Sequence, residues 1–308
     1  MQKEQFKTSV GGQAVLEGVM MKGPEKMALA VRNPQGEIIV ETENVKSHKW
    51  AKLPFIRGIF VFCNSLLTGY KTLMRSAEIS MGDDFVEEDS KFDKWISEKF
   101  GEKGTNLLMG VSAILGGGLA IVLFMVLPTM ITGLVNNFFP LGGFKALLEG
   151  VLKMTLFLGY LAVVSRMKEI RRVFMYHGAE HKTIACYEHG EDLTVENVRK
   201  HLRFHPRCGT SFLLIVMVVS ILLFSVLPWT STFMRVVLKL ITLPLVMGIA
   251  YELIKLAGRF DNLATRMLSA PGLWLQRLTT VEPTDDMIEV AIASVLPVLP
   301  ANKEDGQW

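Results

Sequence analysis

Cysteine is scarce in this chain: Cys63, Cys186 and Cys208 are the only three among 308 residues, and they are widely spaced. An odd, dispersed set is not the disulfide framework of a small secreted domain, so a reducing, cytosolic context is expected. Long basic runs are also lacking and the net charge is only +3, so no nucleic-acid partner is expected. The opening residues MQKEQFKTSVGGQAV contain no apolar core of the signal-peptide kind, which argues against a cleaved secretory protein or a twin-arginine substrate. Internal repeats and low-complexity tracts are missing too. Apolar residues, by contrast, make up 50% of the chain and the mean hydropathy is +0.32, values that call for several apolar segments of spanning length.

Four such segments are expected to be transmembrane helices: Leu107 to Val135, Leu147 to Ser165, Ser211 to Trp229 and Val236 to Ile254. The second carries Glu149 and Lys153, which are spaced to pair on one helix face. The third closes on Pro228 and Trp229, a fitting interfacial anchor. Basic residues crowd the loop between the second and third segments (Arg166, Lys168, Arg171, Arg172, Lys182, Arg199, Lys200, Arg203, Arg207), whereas the opposite loops offer little beyond Lys145 and Arg235. Because Lys and Arg are retained in the cytoplasm, that loop and both termini are expected there, in a multi-pass plasma-membrane protein.

The fold class expected is therefore mainly α, a polytopic helical membrane protein with about four transmembrane helices and a cytoplasmic part containing a small β element. The organisation expected is a cytoplasmic region over 1–103, a transmembrane region over 104–256 enclosing the His/Cys-rich loop 166–210, and amphipathic helices over 257–308. Within the first region, Met27 to Val31 and Ile38 to Thr42 flank Asn33-Pro34-Gln35-Gly36 and read as a β-hairpin. Residues 53–73 are apolar but interrupted by Arg57, Asn64 and Lys71, as in an amphipathic or re-entrant helix. Residues 82–103, acidic and polar, read as a solvated helix and linker. Pro271 to Leu278 and Met287 to Leu299 read as short amphipathic helices that lie on the membrane or pack on the cytoplasmic part.

Five of the six histidines and two of the three cysteines fall between His177 and Cys208. His177, Glu180 and His181 form H-x-x-E-H, which on a helix stacks two imidazoles on one face beside a carboxylate. This is the arrangement of inverzincin proteases, in which zinc polarises the substrate and the carboxylate serves as general base. His205, Pro206, Arg207, Cys208 and Gly209 read as a metal knuckle with histidine at its first ligand position. Zinc suits this mixed nitrogen and sulfur set. If His177, His181, His205 and Cys208 all bind, the tetrahedron is full and the site is structural; a catalytic site keeps one position for water. A competing set is His201 and His205, four apart in a helical stretch Val195 to Phe204, with Cys186 and His189 near in sequence. Glu252 near the end of the last apolar segment is either an alternative ligand or the partner of Lys255 or Arg259. Gly11 to Met21 reads as a sharply turned segment placing Glu17 in a polar pocket, with Arg57 as its cationic partner.

GGQAVLEGVMMKGP, the segment from Tyr176 to Glu188, HPRCGTSFL from His205, YELIKLAGR from Tyr251 and the closing PGLWLQRLTTVEPTDDMIEVA together resemble the YqhQ family of bacterial integral membrane proteins. The resemblance covers nearly the whole chain and implies a metal-dependent enzyme, with His177, Glu180, His181, His205 and Cys208 as the residues concerned. Its rival is a non-enzymatic homo-oligomer that forms a pore, moves a lipid or solute, or assists membrane-protein assembly; Gly116 to Gly118 suit such close packing. A third reading is a redox or metal sensor built on Cys186 and Cys208. Membrane lipids are expected partners in each case.

Overall fold

The computed structural model describes residues 6–45, 56–82, 110–112, 114–228, 231–259 and 263–300. The acidic linker expected over 82–103 lies almost wholly outside the described residues. The chain divides into two compact units. The first joins Met1–Gly82, Leu161–Val219 and Pro244–Trp308; the second joins Asp83–Tyr160 and Ser220–Leu243.

The first unit is built on a four-stranded antiparallel meander, β1 (Gly11–Val15), β2 (Gly18–Lys22), β3 (Lys26–Arg32) and β4 (Ile38–Asn44), in the order β1-β2-β3-β4. The turn expected at Asn33 to Gly36 joins β3 to β4. The Asn33 side chain accepts the Glu37 amide at 2.8 Å and Gly36 takes a φ of 87°, a left-handed geometry that suits glycine. Side chains alternate across a strand, and both faces of this sheet are buried, which explains the unbroken apolar run in β2. Val19, Met21, Ala28 and Ala30 join one core with Tyr176, Ala179 and Ile184 of helix α4 (Lys168–Glu188) and Met287, Ile288 and Ala291 of helix α9 (Asp285–Val295). Val15, Met20, Leu29 and Val31 form a second core on the other face, with Ile79 of helix α1 (Ile56–Met81) packed against it. The segment Met287 to Leu299 is thus a core helix followed by a short 3-10 turn.

Three helices are long and apolar enough to cross a membrane: α2 (Gly110–Phe138), the span Gly142–Val164 that contains α3 (Lys145–Val164), and Thr232–Leu256 within α7 (Thr232–Arg259). The expected span Ser211 to Trp229 is instead α6 (Gly209–Ser225), 17 residues long. At ~1.5 Å per residue it reaches about 26 Å, at the lower end of the lengths that cross ~30 Å of hydrocarbon. Among described residues the count of long apolar helices is therefore three.

The second unit holds a buried ionic cluster. Glu149 and Lys153 do not pair with each other. Arg235 Nη2 lies 2.9 Å from Glu149 Oε2, Lys239 also meets Glu149, and Lys153 donates to Ser220 Oγ at 2.6 Å. Charges buried this deeply persist only when paired, and a cation on a facing helix can approach the carboxylate more fully than one a turn away on the same helix.

Two further expectations are corrected. Helix α5 runs only over Val195–Lys200, so His201 and His205 do not share a helix. Carbonyls in its last turn and beyond it have other partners: Lys182 Nζ donates to Arg199 O at 3.0 Å and His181 Nδ1 to Arg203 O at 2.6 Å. Glu17, at the tip of the β1–β2 turn with φ 50°, binds Arg172 and accepts the Tyr176 hydroxyl at 3.2 Å; Arg57 serves Glu252 instead.

Candidate metal and acid–base site

Helix α4 places His177 and His181 one turn apart, with ring centroids 4.4 Å from each other. Gly178 between them lies where a Cβ would come within 2.2 Å of the Val281 carbonyl oxygen, so only glycine lets α4 approach the strand-like segment that follows helix α8 (Leu263–Thr279). That approach brings backbone carbonyls to the imidazoles. His177 Nδ1 donates to Thr279 O at 2.8 Å, and His181 Nδ1 donates to Arg203 O at 2.6 Å. A carbonyl only accepts, so each ring carries a proton on Nδ1 and turns Nε2 toward the cluster.

Cys208, immediately before α6, closes the group. Its sulfur is 3.1 Å from His177 Nε2, 3.2 Å from Thr210 Oγ1 and 3.4 Å from the Thr210 amide nitrogen. One ligand atom each from His177, His181 and Cys208 lies within 4.8 Å of the others. Burial raises the Cys208 thiol, but the imidazoles of His177 and His181 overturn this and hold it well below the usual thiol range. A helix N-terminus acts in the same direction. Burial likewise disfavours the cationic form of His177, yet the Cys208 sulfur and the Glu180 carboxylate lift it to about 9. Without a cation between them, the two groups therefore form a thiolate–imidazolium pair.

Glu180 faces the same point. Burial raises its carboxyl against the pull of His177 and His181, and the Gly12 amide donates to it. A Cβ on Gly12 would lie 2.5 Å from Met20 O and 3.1 Å from Glu180 Cδ, so the strand can come this near only as glycine. Two atoms of the group, His181 Nε2 and Glu180 Oε2, are buried with no hydrogen-bond partner. Buried polar atoms are rarely left so, and two of them aimed at one cluster call for a ligand.

His205 and Glu252 sit differently. The His205 backbone is clamped by the fully buried Gln276, which accepts its amide at 2.8 Å and donates to its carbonyl at 2.7 Å. Its Nε2 meets Glu188 Oε2 at 3.3 Å, and Glu188 also binds Arg207 and the Thr8 amide. The His205 ring stays 5.7 Å from that of His181. Glu252 is held by Arg57, with Nε to Oε1 at 2.7 Å. Residues from the competing set converge separately, as Cys186, Glu191 and His201. There the Cys186 thiol is pushed up to about 11 by burial and then by Glu191 and Asp192, which keeps it protonated.

The sequence reading missed Gly12, Thr279, Arg203, Gln276 and Glu188 as members or supports of the site. Only Gly12 had a signal, the unusual glycine pair at the start of β1. A carbonyl acceptor leaves no mark on residue type.

Two cavities flank the cluster, one of about 520 Å³ reaching His177, Glu180 and Cys208, and one of about 510 Å³ reaching Glu180, His181, His205 and Cys208. Residues 53–301 match the family model described as "Protein of unknown function (DUF1385)". Over 303 residues the chain is 35% identical to "Uncharacterized protein YqhQ" of Bacillus subtilis (strain 168), covering 96% of this chain and 93% of that protein. No solved structure matches. With a family model spanning most of its length and a relative matched nearly end to end, the chain belongs to the YqhQ (DUF1385) family.

Proposed function

We propose that this chain is an integral membrane protein in which His177, His181 and Cys208 hold a zinc ion at the cytoplasmic membrane surface and Glu180 acts as general base in hydrolysis. One observation carries the reading. Both imidazoles are anchored through Nδ1 on carbonyls, while His181 Nε2 and Glu180 Oε2 remain buried and unpartnered beside a low-pKa thiol. Metal-ligating histidines are oriented by such outer hydrogen bonds. A simple Cys208–His177 nucleophilic pair uses the 3.1 Å contact but leaves those two atoms without a role.

Zinc bound there supplies a Lewis acid and acidifies water to a pKa of ~7. The chain's own residues do the rest. His177, His181 and Cys208 would hold the ion, and because His205 is turned toward Glu188 a position would be left for water, as a catalytic set requires. Glu180 accepts the proton of the attacking water and returns it to the leaving group. The Gly12 amide steadies Glu180 between these steps.

The membrane assignment is supported by the three long apolar helices and by the composition of the first unit. Its sheet, α4 and α9 come from three separate stretches of chain yet share one core, so all three lie on one side of any bilayer. The connections between them, α2 with α3 and α6 with α7, must then each cross an even number of times. The basic residues on α4 and around α5 support a cytoplasmic location for that side.

The test is Glu180→Gln in detergent-purified protein. Stoichiometric zinc should persist, while hydrolysis of chromogenic ester and peptide probes falls by about 10²–10⁴-fold, the range for loss of a general acid–base group. Wild-type protein that takes up no metal, or a variant as active as wild type, would overturn the proposal.

A further inference from the structure

The two cavities differ in chemistry and meet at the acid. Phe62, Leu66, Phe174, Phe212, Leu213 and Ile254 line the first. The second is more polar, with Lys22, Asn64, Thr68 and Arg207 in its wall beside the apolar Val10, Met20 and Ile184. Gly12, Gln13, Val61, Ser65, Glu180, Cys208 and Gly209 line both, so the two chambers adjoin at the candidate ligands. Each volume is in the range of a small-molecule site. Tyr251 and Ile254, at the apolar end, belong to the apolar helix Thr232–Leu256.

This asymmetry selects a substrate class. A peptide threaded into the apolar chamber brings an amide donor and acceptor at every residue, and each costs free energy if unmatched. Gln13, Ser65 and Thr210 offer few side-chain partners, and the edge of β1 reaches the chamber over Gly12 to Ala14 alone, with the Gly12 amide already given to Glu180. An alkyl chain needs no partner. In the polar chamber the charged lining residues are Lys22, Arg207 and Glu180, and Arg207 already binds Glu188. That pairing leaves the Lys22 ammonium, at the outer end of this chamber, as the cation to meet an anionic head group.

We infer that the substrate is an anionic amphiphile, its acyl chain in the apolar cavity, its phosphate-bearing head in the polar one, and its acyl ester at Glu180. This rests on the hydrolytic reading above. Water adds across the ester: its oxygen bonds to the acyl carbon, the bond to the alkoxy oxygen breaks, and the proton taken by Glu180 ends on that alkoxy oxygen. The products are a fatty acid and the head-group alcohol.

The probe is a pyrene-labelled lysophosphatidylglycerol, used below its micelle concentration with purified full-length protein. Saturable binding is expected, tightening roughly four-fold for each methylene added within the cavity, the equivalent of ~0.8 kcal/mol. Leu213→Trp should fill the chamber and weaken binding at least ~10-fold. Lys22→Glu should weaken the anionic probe several-fold, an effect that salt reduces, and leave binding of the matching long-chain alcohol unchanged. If Leu213→Trp fails to fold, Lys22→Glu and the chain-length series carry the test. Absence of saturable binding, indifference to chain length, or an extended peptide that binds while the lysolipid does not would overturn the inference. Binding of the lysolipid without its cleavage refutes the hydrolytic reading and leaves the cavity assignment standing. Cleavage of a peptide without lysolipid binding does the reverse.

Discussion

His177 and His181 are useful to a metal only because of what their far nitrogens do. With Nδ1 bound to Thr279 O and Arg203 O, both Nε2 atoms turn toward Cys208 without further cost in side-chain entropy. His205 has no such freedom, since Gln276 holds its backbone and Glu188 its ring. His177→Ala and Cys208→Ser should therefore lower zinc affinity by more than the ~10–100-fold typical of losing an outer-shell partner, whereas His205→Ala should stay within that range. Metal titration against a competing chelator decides it. If His205→Ala strips zinc as completely as His177→Ala, the site is a closed four-ligand tetrahedron and the catalytic reading falls. At this scale H-x-x-E-H was legible in sequence because helical spacing alone puts the three side chains together. The separation of His205 from Cys208 was not, because spacing in a turn does not say which partner each side chain finds.

Among the elements, the β3–β4 hairpin was legible from Asn33, Pro34 and Gly36, residues whose conformational preferences act locally. Helix α5 is shorter than its sequence suggests: Lys182 claims the Arg199 carbonyl in its last turn and His181 the Arg203 carbonyl beyond it, both from a different helix. Helix α9 shows the same limit: its apolar pattern suits either a membrane surface or a protein core, and only the sheet opposite it decides. Ile288 is fully buried there, against the face carrying Val19 and Ala28. Ile288→Ala should cost about 2–5 kcal/mol, as expected for truncating a core aliphatic, and should shift the denaturation midpoint without altering zinc stoichiometry in the folded fraction. A midpoint equal to wild type would mean that α9 is held on the bilayer and not on the sheet.

Across the whole molecule, the consequence is sidedness. If β4, α5 and α9 share a compartment, cysteines placed at the exposed positions Glu37, Glu196 and Glu289, in a background with Cys63→Ser, should react with a membrane-impermeant maleimide from the cytoplasmic face only. A cysteine at exposed Phe139, between α2 and α3, should react only from the opposite face. Labelling of Glu37→Cys and Glu289→Cys from different sides would break the topology. The short α6 bears on this result, since an even crossing between α4 and α9 requires it to span or to turn back together with α7.

What the sequence determined by itself was whatever depends on neighbours along the chain: the apolar runs, the hairpin turn, the helical stacking of His177, Glu180 and His181, and the family. The tertiary structure alone decided which distant groups complete the site. Gly12 reaches Glu180 from the first strand, Thr279 and Arg203 orient the imidazoles, Glu188 draws His205 aside, and Arg57 occupies Glu252. The physical reason is that local periodicity follows from backbone geometry, which residue types report, whereas hydrogen-bond partners across 100 residues or more follow from which surfaces pack, as between His177 and Thr279, with |i−j| of 102.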